Sequence, residues 1–247
     1  MKIIGIAGRK QAGKNTVANY INGHVLKHKN MINDFAIDSN GMLVVNTQDI
    51  TGQSGFGIFD VTRKDSIFVD YAERDLWPYV KVYHFADPLK EMAVGLFGLK
   101  PSEVYGSDDQ KNLVTNINWE SMPDCPPDKA GPMTNREFLE HFGTKIVRKI
   151  KRDAWSEYAI NKVVAEQSEI AIIPDVRFPN EVESIQKNGG VVIRLTRNAF
   201  NSNAEAEKAL DKENFDWKKF DLVIDNHAMS LTDLCDYLKN HSHFWGY

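Results

Sequence analysis

Cysteine is scarce in this chain. Only Cys125 and Cys235 occur in 247 residues. A pair so far apart makes neither a disulfide framework nor the close spacing of a metal site, so a reducing, cytoplasmic setting is expected. A basic excess is lacking too: 30 Lys and Arg stand against 34 Asp and Glu, a formal net charge of −4. Non-specific binding to a nucleic-acid polymer needs surplus positive charge, and no such partner is expected. No apolar run approaches the ~20 residues of a membrane span. The apolar start breaks at Gly8 and Arg9, short of the core of a signal peptide, so neither a leader nor a membrane partner is expected. Repeats and low-complexity tracts are missing as well. What remains is a globular composition, 42% hydrophobic and 26% charged, sized for a single domain over 1–247 with an inserted piece.

What is present is an alternation of strand and helix patterns. Ile3 to Ala7 is a short apolar run before glycine, a buried strand. Residues 14–28 follow with Val17, Ala18, Ile21 and Val25 at helical spacing. Residues 33–78 differ: Gly41, Gly52, Gly55 and Gly57 punctuate β-rich pieces, which predicts an inserted hairpin or small antiparallel sheet. "VKVYHF" (80–85) reads as a strand and "DPLKEMAVGLF" (87–97) as a helix. Residues 98–133 are loop-rich, and 134–167 form a long helical region with a break expected near Gly143. Strand 170–173, helix 179–188, strand 190–196, a polar segment 197–219, strand 220–224 and helix 230–240 complete the chain. The pattern predicts an α/β fold with a parallel sheet covered on both faces.

"GRKQAGKNT" (8–16) raises the first chemical question, because Arg9, Lys10 and Lys14 crowd a glycine turn. The stretch satisfies G-x-x-x-x-G-K, with Asn15 directly after the lysine and Thr16 next. Glycines let successive N–H groups face one anion, and the helix N-terminus adds partial positive charge. Lys14 would reach β- and γ-phosphates; Thr16 would meet a phosphate oxygen or the metal shell. A glycine-rich strand-to-helix turn with no ligand is the plainer reading of the same spacing.

Two other helix starts also carry cations. In "HFADPLKEM", Asp87 is expected as N-cap and Pro88 at the first helical position, which puts Lys90 third. In "MTNREFLEHFGT", Thr134 and Glu137 form a capping box and Arg136 falls second. A cation there opposes the helix dipole by ~0.3–1 kcal/mol, so either an anion binds or the side chain turns to solvent. Lys145, Arg148 and Arg152 recur on one expected helix face, either around an anion or solvated. "AIIPDVRFPNE" brings Asp175 and Arg177 to the carboxyl end of a strand, where ligands of open α/β sheets bind. A structural Asp175–Arg177 pair is the alternative, and Trp155 reads as core rather than a stacking platform.

With these pieces together, the chain resembles the bacteriophage deoxynucleoside monophosphate kinases. The likeness lies in "GRKQAGKNT", "FADPLKE", "NWESMP", "MTNREFLEHFGTKIVRKI", "DAWSEYA", "PDVRFPNEVESIQKNGGVVIRLTR" and "DLVIDN", and spares only residues 33–78. It implies a P-loop kinase core with a five-stranded parallel sheet, and transfer of a phosphoryl group from MgATP to a dNMP. It implies that Gly8, Ala12, Gly13, Lys14, Asn15 and Thr16 hold ATP phosphates. It implies that Lys10 points toward the acceptor phosphate, and that Lys90, Arg136 and Arg177 are acceptor-side residues. Asp87, Gly143, Thr144, Arg148, Arg152 and Trp155 fall in the implied substrate-binding elements. Arg197 opens a lid-like segment (197–219), and Asn226 lies where the donor adenine is expected. Asp175 is left with three roles: orienting Arg177, holding metal-bound water, or meeting the acceptor sugar. Glu140 stands where family members often carry Gln, so base preference is not inherited. ATP and Mg2+ are the expected cofactors, in the host cytoplasm if the phage likeness holds. The insert is expected to be accessory, a homodimer contact or a cover over the acceptor. Two rivals stay open here: another P-loop small-molecule kinase, dephospho-coenzyme-A-kinase-like, and a nucleotide-binding switch.

Overall fold

A computed structural model describes residues 1–48, 52–199 and 204–247. Its elements in chain order are β1 (Lys2–Ala7), α1 (Lys14–His28), β2 (Phe35–Ile37), β3 (Leu43–Gln48), β4 (Ser54–Ile58), α2 (Ser66–Asp75), β5 (Val80–Val82), α3 (Asp87–Gly95), α4 (Pro101–Val104), α5 (Asp108–Lys111), β6 (Val114–Asn118), β7 (Pro132–Thr134), α6 (Asn135–Glu140), α7 (Arg148–Ile150), α8 (Ala154–Glu166), β8 (Ile170–Val176), α9 (Pro179–Lys187), β9 (Val191–Leu195), α10 (Glu205–Lys208), β10 (Leu222–Ile224) and α11 (Leu231–Asn240). They form two compact units: Met1–His84 with Ile160–Tyr247, and Phe85–Ala159.

The first unit is built on a five-stranded sheet in the order β10-β9-β1-β8-β5. Every pairing in it is parallel. A parallel sheet covered on both faces needs apolar strands, and Ile3, Ile4, Ile6 and Ala7 of β1 are fully buried, as are Ile172 and Ile173 of β8. The chain runs outward from β1 to β5 and then returns across β1 to β9, so the strand order reverses around β1. The carboxyl ends of β1, β8 and β9 therefore open on the crevice where α/β sheets bind ligands. α1 buries Val17, Ala18, Ile21, Val25 and Leu26 against this sheet's core cluster. Lys27 and His28 in its last turn suit the negative end of the dipole.

Residues 33–78 form more than a hairpin. β2, β3 and β4 make a three-stranded antiparallel sheet, and α2 follows, capped by Asp65, whose carboxylate accepts the Phe68 N–H at 3.1 Å. The sheet lies tight on α1. A Cβ at Gly23 would stand 2.5 Å from Phe35 and 2.6 Å from Leu43. Residues 49–51 and 200–203, within the insert and the lid-like segment, lie outside the described residues.

The second unit gathers Ala93, Leu99, Val104, Trp119, Met133 and Phe138 in its own core, with β6 and β7 paired antiparallel. Its long helical region departs from expectation. α6 passes into a π-helical stretch, His141–Val147, and then α7. The chain breaks at Lys151, which is extended at φ −145° and ψ 105°, not at Gly143. Gly143 is instead a point of close packing, since a Cβ there would lie 2.7 Å from Leu89. The expected single face of Lys145, Arg148 and Arg152 is thereby lost. Arg152 lies past the break, and Arg148 donates to its carbonyl oxygen at 3.2 Å. α3 also begins differently. Ala86 is the N-cap and Asp87 the first helical residue, so Lys90 is fourth rather than third. Proline is tolerated one place deeper because first-turn N–H groups lack helical partners anyway.

Candidate functional site

The loop between β1 and α1 is held by its own backbone. Ala12 N–H donates to Arg9 O at 3.1 Å, and Val17 N–H to Gly13 O at 3.0 Å. Gly13 has φ 98°, a left-handed conformation that glycine alone takes without strain. Behind the loop, Asn226 is fully buried. Its Nδ2 donates to Ala12 O at 2.9 Å, and its Oδ1 accepts the Arg197 N–H at 2.8 Å. The Arg197 guanidinium bonds the carbonyls of Asn226 at 3.1 Å and Met229 at 2.6 Å. Arg197 and Asn226 thus brace the loop from behind, through backbone groups. Asn15 is exposed. Thr16 Oγ1 faces the insert: a Cβ on Gly41 would stand 2.3 Å from it, and Asn19 Nδ2 donates to Gly41 O at 2.8 Å.

Lys14 is the buried charge of the loop, 9% exposed. Its Nζ donates to Gly8 O at 2.7 Å and Arg9 O at 2.8 Å. Burial first, then the Arg177 charge, bring its pKa down to about 8, while Glu207 and Asp175 oppose them. Lys14, Asp175 and Arg177, three of the residues singled out from sequence, therefore share one electrostatic field at the carboxyl ends of β1 and β8. Arg177 N–H and Phe178 N–H both bond the buried Glu181 carboxylate, at 2.7 and 3.0 Å, which fixes the turn that presents Arg177.

Sequence reasoning missed two anions of this site, Glu207 and Asp211. Glu207 Oε2 accepts the Lys10 backbone N–H at 2.6 Å, and Glu207 Oε1 pairs with the Arg177 guanidinium. Burial pushes the Glu207 carboxyl upward, but Arg177, the Lys10 N–H and the Lys14 charge together outweigh it and hold the group below its ordinary range. Asp211 takes the Arg9 guanidinium on two bonds of 3.2 and 2.5 Å. Arg194 stands beside it at 3.5 Å, 4% exposed and stacked over Trp217. Burial lowers the Arg194 pKa, and its Nε has no partner among the described residues. The available signal was the spacing of Glu207 and Asp211, four apart like one helix face, in a segment read only as polar.

In the second unit the capping box at α6 holds. Thr134 Oγ1 accepts the Glu137 N–H at 3.1 Å, and Glu137 accepts the Thr134 N–H at 2.9 Å. Arg136, second in the helix, bonds Asn112 Oδ1 at 3.0 Å and Asp108 at 2.7 Å. Lys90 lies 5.1 Å from the centre of the Tyr105 ring. Each of these cations thus has a partner from the chain, neither simply turned to solvent. Trp155 is core, as the sequence predicts: its indole N–H donates to Gly143 O at 3.1 Å in a buried contact. Glu140 is exposed and Thr144 half-buried.

Among the described residues, no group of three or more His, Cys, Asp or Glu could hold a metal ion, and no helix is long and apolar enough to cross a membrane. The loop's N–H groups, a buried lysine and a strand-end arginine are donors without exception, which is the chemistry of a polyanion site. Comparison with known proteins agrees with that chemistry. A protein of Acanthamoeba polyphaga mimivirus, provisionally named a deoxynucleotide monophosphate kinase, is 26% identical over 147 residues, 58% of this chain and 73% of its own. The family model described as deoxynucleotide monophosphate kinase matches residues 2–237, and the chain belongs to that family.

Proposed function

We propose that this kinase transfers the γ-phosphoryl group of MgATP to a deoxynucleoside monophosphate, giving a dNDP and ADP. The observation that carries the reading is Lys14: a charged amine kept buried at a helix start, hydrogen-bonded to the loop carbonyls of Gly8 and Arg9. Glu207 and Asp175 offset that charge only in part, since its pKa stays lowered, and β- and γ-phosphates would complete the countercharge. A phosphate oxygen of the acceptor attacks the γ-phosphorus, and the bond from that phosphorus to the β–γ bridging oxygen breaks, leaving ADP. The acceptor is already anionic, so no general base is required, and catalysis reduces to positioning and charge neutralisation. Lys14 and the loop amides would hold the donor, with Arg177 on the migrating group. Lys90 and Arg136 of the second unit would hold the acceptor phosphate. Thr16 and Asp175 are oxygen donors that would approach the magnesium ion of MgATP, which would supply neutralisation of the phosphate charge. The test is ADP release in a coupled assay over a panel of dNMPs and NMPs. Release that depends on a dNMP supports the reading. Release without any acceptor, or only with a non-nucleotide acceptor, refutes it.

A further inference from the structure

The short helix α10 sets a carboxylate on the loop that the proposed reaction needs for phosphate. Glu207 Oε2 takes the Lys10 N–H at 2.6 Å, and Glu207 Oε1 takes Arg177. The carboxylate is largely shielded from solvent, its side chain 9% exposed. Lys14 acts on it through space, and it acts in turn on Arg9 and Arg194. Four residues on, Asp211 clamps Arg9 and Arg194 and so pins the same turn from its other end. A backbone amide and a guanidinium on the two oxygens of one carboxylate, with a buried ammonium acting on it through space, is the donor set that a bound phosphate requires. An N–H with one hydrogen cannot give a full bond both to Glu207 and to an incoming phosphate oxygen.

We propose that Glu207 is an internal competitor for the donor phosphates: it fills their place on the loop in the free protein and is displaced by them, carrying the Glu205–Asp211 turn away. This inference rests on the donor-site reading above. The opposing idea is that Glu207 merely positions Arg177, and the two differ in sign. A competitor, once removed, leaves tighter anion binding; a positioning residue, once removed, leaves binding weaker or unchanged.

Titration calorimetry with inorganic pyrophosphate, and separately with MgATP, compares the parent chain with Glu207→Gln. The competitor predicts binding tighter by about tenfold or more in the variant, because a charge-assisted bond to the loop no longer has to be given up. Glu207→Asp keeps the charge but shortens the reach, and should tighten binding less; it also serves if Glu207→Gln does not fold. Hydrogen exchange supplies the second reading. The amides of Ala209 and Asp211, bonded at 3.0 Å to Glu205 O and Lys208 O, should exchange faster when pyrophosphate is added to the parent. Unchanged or weaker binding in the variants, or slower exchange at 205–211, overturns the competitor while the donor site stands. A folded parent that binds neither pyrophosphate nor MgATP overturns both.

Discussion

Lys14 offers the sharpest test of the donor site, because its charge is costly before any ligand arrives. Burial and Arg177 bring its pKa to about 8 from an ordinary 10.5. That difference corresponds to a penalty on the order of 3 kcal/mol for keeping the ammonium in the folded free protein at neutral pH. The folded pKa lies below the unfolded one, so between the two the unfolded chain holds the extra proton. Stability of the free protein should therefore rise as pH climbs from about 8 toward 10.5 and level off above. Lys14→Met keeps the stem and drops the charge. It loses the bonds to Gly8 O and Arg9 O but also the burial penalty, and the two nearly cancel. A melting temperature within a few degrees of the parent is expected, about 1 kcal/mol or less either way. ATP binding should nevertheless vanish. In the parent, phosphates restore the lysine's charge, so affinity should fall as pH rises through 8. From about pH 7 to about pH 9.5 the loss should reach roughly thirtyfold, in a range where phosphate's own proton, with a pKa near 6, is already gone. Calorimetry in two buffers of different ionisation enthalpy should show proton uptake on binding near pH 8.5. Affinity that is flat across this range, or a Lys14→Met protein that binds ATP as the parent does, refutes the reasoning.

Three further outcomes follow from other parts of the molecule. Arg136→Ala gives up a partly exposed pair with Asp108, which should change stability by only about 0–1 kcal/mol; if Arg136 holds the acceptor phosphate, the dNMP KM rises or kcat falls while the ATP Kd stays put, and unchanged dNMP kinetics would remove it from the site. Asn226→Ala orphans Ala12 O and the Arg197 N–H behind the loop, at a cost of ~1–3 kcal/mol in a urea melt, with weaker ATP binding; an unchanged midpoint would show that the brace carries no load. Gly23→Ala drives a methyl to within 2.5 Å of Phe35, so overpacking of ~1–3 kcal/mol should exceed the gain in helix propensity, and a melting temperature at or above the parent's would show that the insert yields easily.

Features of local origin were readable in the sequence. β1 is an apolar run, α1 an apolar stripe, and the Gly13 turn follows from the one residue that accepts its φ. The capping box of Thr134 and Glu137 needs only four residues of chain, and it is there. Errors arose where a local signal had two outlets. Pro88 fits the first or the second helical place, and the choice moved Asp87 from cap to helix. The glycines from Gly41 to Gly57 mark the insert as β-rich and hide α2, although Asp65 before "SIFVDYAERD" is a cap signal. Glycine within a helical pattern predicts a break at Gly143, whereas its missing side chain makes room for Leu89.

The site shows a deeper limit. Three cations in one turn, Arg9, Lys10 and Lys14, ask for an anion, and sequence can state the demand without naming the supplier. Arg9 finds Asp211, 202 residues away, and the Lys10 N–H finds Glu207, 197 away. Pairings at that separation are made by the fold, since β9 returns the chain beside β1 and brings the following segment back over the loop. The sign of the charge said where an anion belongs. It could not say that the chain itself furnishes one, and this is why a ligand site and an internal ion pair look alike in sequence. They separate only through exchange: an anion that belongs to the fold holds its place when phosphate is added, and one that stands in for phosphate gives it up.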